Sequence, residues 1–182
     1  GIDPLDLRRH LLRNHPPGLA VVDKVAAMAG WGSPAASGKA RGFAFSFCFG
    51  SWVAAIVEVA DTDDGIRIEA CWIAADVGTA LDPGIIEAQL VSGAIFGFSG
   101  AMAQEITISG GAAEQSNFHD FDALRINQCP RFEVAILETS PHMGGVGEIG
   151  VPAATAALVN AVSALSGMRI RTLPLSREVS FA

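Results

Sequence analysis

The stretch Gly144-Gly-Val-Gly-Glu-Ile-Gly150 holds more chemical possibility than any other in this 182-residue sequence. It sets one carboxylate, Glu148, on a glycine-rich backbone just ahead of an apolar, helix-like run. Three readings of that carboxylate differ in what they require. Gly145-Val-Gly147-Glu-Ile-Gly150 has the spacing G-x-G-x-x-G, but a dinucleotide fingerprint needs its first glycine directly after a strand and an acid about 20 positions onward. Here the preceding strand pattern ends near Glu138, and Arg169-Ile-Arg171 stands where the acid belongs, so a Rossmann site is not expected. An acid beside a helix N-terminus also complements the helix dipole with no further role. The third reading is a general base in apolar surroundings, where bare backbone lets a bulky ligand come close. Spacing alone leaves the last two open.

Other polar groups carry less. Gln89, Gly93 and Gly97 fall at i, i+4 and i+8 of a long apolar run, a smooth stripe that backbone or a large ligand can approach, with one amide at its N-terminal end. Close packing on a sheet is the plainer reading of that stripe. His119 and Asp120 lie between strands and His142 just ahead of the glycines, positions open to a structural or a substrate-pocket role. Asp76 is expected to hydrogen-bond the turn at Gly78. Cys48, Cys71 and Cys129 form no C-x-x-C pair or Cys/His cluster, so no metal ligand is expected from this chain. Cys48 and Cys71 read as small buried hydrophobes in strand-like runs, and Cys71 and Cys129 are expected to be inert.

The elements that must position these groups are marked by period and punctuation. Helices are expected over Asp3–Asn14 and Leu19–Ala29, followed by a Gly/Ser/Pro/Ala loop over Gly30–Gly42. Phe43, Phe45, Phe47 and Phe49 then alternate with small residues as one face of a strand. Val53–Val59 and Ile66–Ala75 read as strands joined by the turn Asp61–Gly65. Asp82-Pro83 opens a core helix to about Gln104, whose most apolar part, Leu90–Ala103, is too short to span a bilayer. A hairpin over Ile106–Ser109 and Ala112–Asn117, a strand over Arg131–Glu138 and a helix from about Pro152 to Ser166, closed by Gly167, complete the series. The fold class is α+β, with antiparallel or mixed strands packed against core helices. Residues 1–40 form an N-terminal helical segment and linker ahead of a main portion over 41–182.

Composition narrows the function classes. The chain is 50% hydrophobic and 17% charged, with 20 glycines and 9 prolines, and its 12 basic against 19 acidic residues give a net charge of −7. No basic cluster exists to bind nucleic acid or an anionic membrane. So apolar a chain is expected to bury surface against a partner.

Four segments in order, Asp76-Val-Gly-Thr-Ala-Leu-Asp-Pro83, Ile86-Glu-Ala-Gln-Leu-Val-Ser-Gly-Ala-Ile-Phe-Gly97, Gln115-Ser-Asn-Phe-His-Asp120 and Gly144-Gly-Val-Gly-Glu148, carry a resemblance over nearly the whole chain. Their succession closely resembles the C-terminal part of the molybdenum-binding subunit of the xanthine dehydrogenase/aldehyde oxidase family. Within it the sequence looks like the branch of isoquinoline 1-oxidoreductase beta subunits and membrane-associated aldehyde dehydrogenases. The resemblance implies a molybdopterin cofactor, in a dinucleotide form, whose molybdenum carries oxo, sulfido and hydroxyl ligands. It implies that Glu148 takes the proton of the metal-bound hydroxyl while that oxygen attacks an aldehyde or N-heterocycle and hydride passes to the sulfido ligand. By motif position Gln89 hydrogen-bonds the pterin, and Gly145 and Gly147 line its approach.

The same resemblance implies 2Fe-2S clusters on a partner domain or iron-sulfur subunit, a cytochrome c subunit as a further partner, a small-molecule substrate and no nucleic acid. The full molybdenum subunit of that family is several times longer, and its earlier pterin-binding segments are not in this sequence. The chain is therefore expected to be a fragment or a split subunit, inactive without the remaining portion. The compartment is left open between periplasm or membrane and cytoplasm. The alternative is a non-catalytic assembly module that retains the fold.

Overall fold

Strand-forming apolar runs bounded by turn residues organise the molecule. In the computed structural model, which describes residues 1–182, β1 (Lys39–Cys48), β2 (Ser51–Thr62) and β3 (Gly65–Asp76) make an antiparallel meander. Val53–Ala60 of β2 and Ala70–Asp76 of β3 are buried without interruption. Such unbroken runs belong to strands covered on both faces. Helices supply both covers. On one face, Val21, Val22 and Val25 of α2 (Pro16–Met28) pack with Phe43, Ile56 and Trp72, joined by Leu5 of α1 (Pro4–Leu11). On the other, α3 (Pro83–Met102) and α4 (Gly150–Ser166) pack with Val53, Val57 and Ile73. Leu90 and Phe98 of α3 and Leu158 of α4 are fully buried, each contributing about 1.5–3 kcal/mol of hydrophobic stabilisation.

Between α3 and the last strand, β4 (Ile108–Ser109) and β5 (Ala112–Ala113) form a minimal hairpin. The last strand, β6 (Arg131–Leu137), joins the main sheet parallel to β3, giving the order β1-β2-β3-β6. The fold is thus α+β with a mixed sheet, as the period changes imply.

Local chemistry explains the boundaries. Asp3 caps α1 by accepting from the N–H groups of Leu5 and Asp6, and Asp82 caps α3 by accepting from Ile85 N–H at 3.0 Å. Gly167 ends α4 in the left-handed region, φ 72°. Four expectations shift. Phe49, expected on one strand face with Phe43, Phe45 and Phe47, lies in the turn instead, because β1 ends at Cys48 and the chain reverses at Phe49-Gly50. The loop expected over Gly30–Gly42 already contains strand from Lys39, because Lys39–Gly42 pairs with Val57–Ala60. The hairpin expected over Ile106–Asn117 keeps only two residues per strand, and short 3₁₀ turns at Phe118–Asp120 and Ile126–Gln128 follow it. Finally, α3 has 20 residues and a mean hydropathy of 1.4, long and apolar enough by length and composition to cross a membrane. Half of its apolar window is buried inside this fold, against α4, β6 and the sheet, which makes it the core helix its pattern indicates.

Candidate functional site

Parallel pairing of β3 and β6 sends two loops out of the same end of the sheet: Val77–Asp82 into α3, and Glu138–Ile149 into α4. Asp76, the last residue of β3, ties the two together. It is fully buried, and its carboxylate accepts from Gly78 N–H (3.0 Å), Thr139 N–H (2.8 Å), Ser140 N–H (3.0 Å) and the Thr139 hydroxyl. Burial by itself would raise its pKa. The Thr139 hydroxyl and the three N–H donors outweigh that and hold the carboxyl below its ordinary value of 3.8. The expected bond to Gly78 is present, and the links to Thr139 and Ser140 extend it across the sheet. A second tie runs from Ala80 N–H to a Glu138 carboxylate oxygen at 2.7 Å.

Further along, the glycine loop is held by the β1–β2 turn. Gly144 donates to Val77 C=O at 3.0 Å, and Gly145 donates to Phe49 C=O at 2.7 Å. Gly145 C=O accepts from the hydroxyl of Ser51, a fully buried side chain, at 2.7 Å. A Cβ on Gly144 would fall 2.2 Å from Ser51 Oγ, and one on Gly145 would fall 3.0 Å from Phe49 Cβ. These two glycines admit neighbouring protein. Around Gly147, by contrast, nothing lies within 4 Å of where a Cβ would stand.

Glu148 follows Gly147 and is exposed, and its carboxylate makes no hydrogen bond or ion pair to the rest of the chain. The apolar surroundings expected for it are not supplied by this chain, because the loop carrying it turns outward before Ile149 plunges into the core. Two residues after Glu148, α4 begins with no side-chain cap on its first turn. Val151 N–H donates to Glu148 C=O, Pro152 has no N–H, and Gly150 and Ala153 are buried. Gln89 is half-buried, and its side-chain amide is unpaired within the chain.

The glycine stripe places Gln89 relative to the loop. A Cβ on Gly93 would meet Gly150 Cα and Val151 N at 3.5 Å, and one on Gly97 would meet Thr155 Oγ1 at 2.5 Å. The stripe therefore packs against α4, and not on the sheet or against a ligand. Because Gly93 faces Gly150, Gln89 lies one turn nearer the α3 N-terminus, level with the residues just before Gly150. Gln89, Gly145, Gly147 and Glu148 are thus gathered at one end of the α3–α4 pair.

The remaining candidates lie apart. His119 Nε2 is 3.0 Å from its neighbour Asp120 on an exposed turn. His142 is exposed and contributes its backbone, whose carbonyl lies where a Cβ on Gly78 would be (2.2 Å). Burial pushes the Cys71 thiol far up, leaving it unreactive, and Cys129 is exposed and free. No cluster of His, Cys, Asp and Glu capable of holding a metal ion is present. The G-x-G-x-x-G match fails in three dimensions, since β6 ends at Leu137 and the sheet is mostly antiparallel. Glu148 sits on an open surface and lines neither of the two larger cavities, about 510 Å³ along α4 from Val151 to Asn160 and about 370 Å³ beside Ile106 and Phe118. Ser51 and the Thr139–Ser140 link escaped sequence reasoning, because each acts on a partner far along the chain.

An α+β layer with a glycine loop and a free carboxylate at one end of a helix pair defines a class when set beside known proteins. Residues 18–130 match the family model described as a molybdopterin cofactor-binding domain, and the chain belongs to that family. It is similar to isoquinoline 1-oxidoreductase subunit beta of Brevundimonas diminuta, with 35% identity over 178 residues, covering 95% of this chain and 23% of the relative. Among solved structures, it resembles quinoline 2-oxidoreductase from Pseudomonas putida 86 with a TM-score of 0.60 and 26% identity, covering 69% of this chain and 17% of that one. It also resembles reconstituted CO dehydrogenase from Oligotropha carboxidovorans with a TM-score of 0.58 and 26% identity, covering 64% and 16%. The chain therefore spans under a quarter of the length of these relatives. The family model ends before β6, so Glu148 and α4 lie beyond its reach, whereas the match to the isoquinoline enzyme covers nearly all of the chain.

Proposed function

We propose that this chain forms one wall of the molybdopterin site of a molybdenum hydroxylase and contributes its general base, Glu148. The observation that carries this reading is a free carboxylate beside open space. Glu148 is exposed and unpaired, and Gly147 next to it has nothing within 4 Å of a notional Cβ. The donor set fits the edge of a pterin: the Gln89 amide, unpaired within the chain, offers a donor and an acceptor to a heterocycle.

When bound, the cofactor supplies the two-electron acceptor and the Lewis acidity that makes oxygen nucleophilic near neutral pH. Glu148 would take up a proton on one carboxylate oxygen as general base, a task suited to a carboxylate held on a pinned loop. Gln89 orients the pterin, while Gly147 keeps side-chain bulk away from it. The substrate is an aldehyde or an N-heterocycle. The cofactor is in a dinucleotide form, and electrons leave through 2Fe-2S clusters on an iron-sulfur subunit, with a cytochrome c subunit as a further acceptor.

The remaining portion of the molybdenum subunit completes the site, so the chain alone is inactive. Its similarity to about a quarter of a protein named as a subunit supports that division. In the assembled, molybdenum-loaded enzyme, Glu148→Gln is expected to lower kcat by about 10²-fold or more with molybdenum content unchanged. Normal turnover by that variant would sink the assignment, and absence of molybdenum from the purified assembly would favour a non-catalytic assembly module.

A further inference from the structure

The β1–β2 turn is built against its own conformational preference. Cys48 pairs with Ser51 across the two-residue loop Phe49-Gly50, in which φ is 52° at Phe49 and 80° at Gly50. Two successive left-handed residues define the tight hairpin turn normally filled by Asn-Gly or Asp-Gly. A bulky aromatic in that region is a genuine outlier, and such strain persists only where surrounding structure over-determines it.

What the turn achieves lies outside the hairpin. It aims Phe49 C=O at Gly145 N–H (2.7 Å) and brings the buried Ser51 hydroxyl to Gly145 C=O (2.7 Å). Both polar backbone groups of Gly145 are thereby fixed by residues 94 or more positions earlier in the sequence. Only Val146 and Gly147 separate this anchor from Glu148. On the far side, Ile149 is fully buried and Val151 N–H donates to Glu148 C=O at 3.0 Å. The carboxylate rides on a short span fastened at both ends, and the Ser51 hydroxyl is the one side-chain group in the upstream fastening.

We infer that Ser51 is a positioning residue for Glu148: with the strained Phe49-Gly50 turn it clamps the Gly145 peptide and so sets where the base stands. The inference rests on the reading of Glu148 as the base, but the clamp also has a consequence that needs no turnover. Without the hydroxyl, Gly145 C=O loses its partner and the loop opens more often.

The test uses the full-length enzyme and compares Ser51→Ala, Ser51→Thr and Ser51→Cys with Glu148→Gln as reference. Hydrogen–deuterium exchange of the peptide covering 141–150, with and without cofactor, is expected to speed up several-fold in Ser51→Ala while β2 and β3 keep their protection. In the loaded enzyme, kcat is expected to fall by roughly 10–100-fold, as for a group displaced by about 1 Å, with KM within about twofold and with recovery in Ser51→Thr. If Ser51→Ala does not accumulate, Ser51→Cys, a weaker donor of similar shape, is expected to show a smaller loss in the same direction. Unchanged loop exchange and wild-type kcat in the Ala or Cys variant would overturn the clamp while leaving the base intact, provided Glu148→Gln is inactive. Full turnover by Glu148→Gln would remove the base reading, and the positioning role with it.

Discussion

Replacing Asp76 by asparagine isolates the tie between the two loops. Asp76 Oδ1 accepts from Gly78 and Ser140 N–H, and Oδ2 accepts from the N–H and hydroxyl of Thr139. In the asparagine variant, Oδ1 keeps its two donors at neutral strength, losing about 0.5–1 kcal/mol per bond once the charge is gone. The amide nitrogen now faces two donors. The Thr139 hydroxyl can rotate to accept, but Thr139 N–H cannot, and one orphaned donor costs about 1–3 kcal/mol. The expected loss is about 2–5 kcal/mol, a large share of the 5–15 kcal/mol typical of a folded domain.

The pH dependence gives a second signature. Because the folded protein holds this carboxyl below its ordinary value, Asp76 stabilises the fold fully above the unfolded pKa of about 3.9 and progressively less as pH falls through its folded value. Urea unfolding of wild type and Asp76→Asn at a series of pH values from about 7 downward measures both effects. The stability gap should be widest near neutrality and narrow on acidification as the wild-type carboxyl takes up its proton. A gap below about 0.5 kcal/mol at pH 7, or one that stays constant with pH, would refute the tie.

Two glycines separate close packing from ligand space. A Cβ at Gly150 would fall 2.6 Å from Leu90 C=O, so Gly150→Ala should force α3 and α4 apart and cost about 1–2 kcal/mol by thermal or urea unfolding. That figure allows for the helix propensity regained. Gly147 has open space around it and is not left-handed, so Gly147→Ala should change stability by less than about 0.5 kcal/mol. The same variant should lower molybdenum retention in the assembled enzyme, and unchanged metal content would remove Gly147 from the cofactor wall.

Local features of the fold were legible in the sequence, and long-range ones were not. The turn Asp61–Gly65 and the apolar runs beside it identify β2 and β3, and Asp82-Pro83 marks the start of α3, because each signal and its consequence lie within a few residues. The parallel pairing of β6 with β3 joins Ala70 to Arg131 across a helix and an irregular excursion, and no periodicity encodes that choice. The stripe Gln89, Gly93, Gly97 declared a close approach but not its occupant, which only the path of α4 supplies. Phe49-Gly50 concealed a two-residue hairpin turn because phenylalanine is not a residue that such a turn selects. Glu148 was found through its glycines, yet two of those glycines serve Phe49 and Ser51, and only Gly147 faces empty space.

The composition of the site end bears on what completes it. Leu81, Ile85, Phe49 and Met143 are all more than half exposed, and each belongs to an element that shapes the glycine loop: the β3–α3 connection, the first turn of α3, the clamp, and the loop itself. Large apolar side chains at an exposed rim cost nothing once another surface covers them, and such a cover also excludes water. Under the proposed reading, the cover matters chemically as well as energetically. A carboxylate open to bulk water competes with solvent as proton acceptor, whereas one enclosed beside a substrate is the acceptor within reach. The clamp at Gly145 and the tie at Asp76 flank Glu148 from within the chain, and on the same reading the apolar rim is the border against which a second surface closes. On the proposed reading, placement of the base belongs to this chain, and its enclosure to the remaining portion of the enzyme.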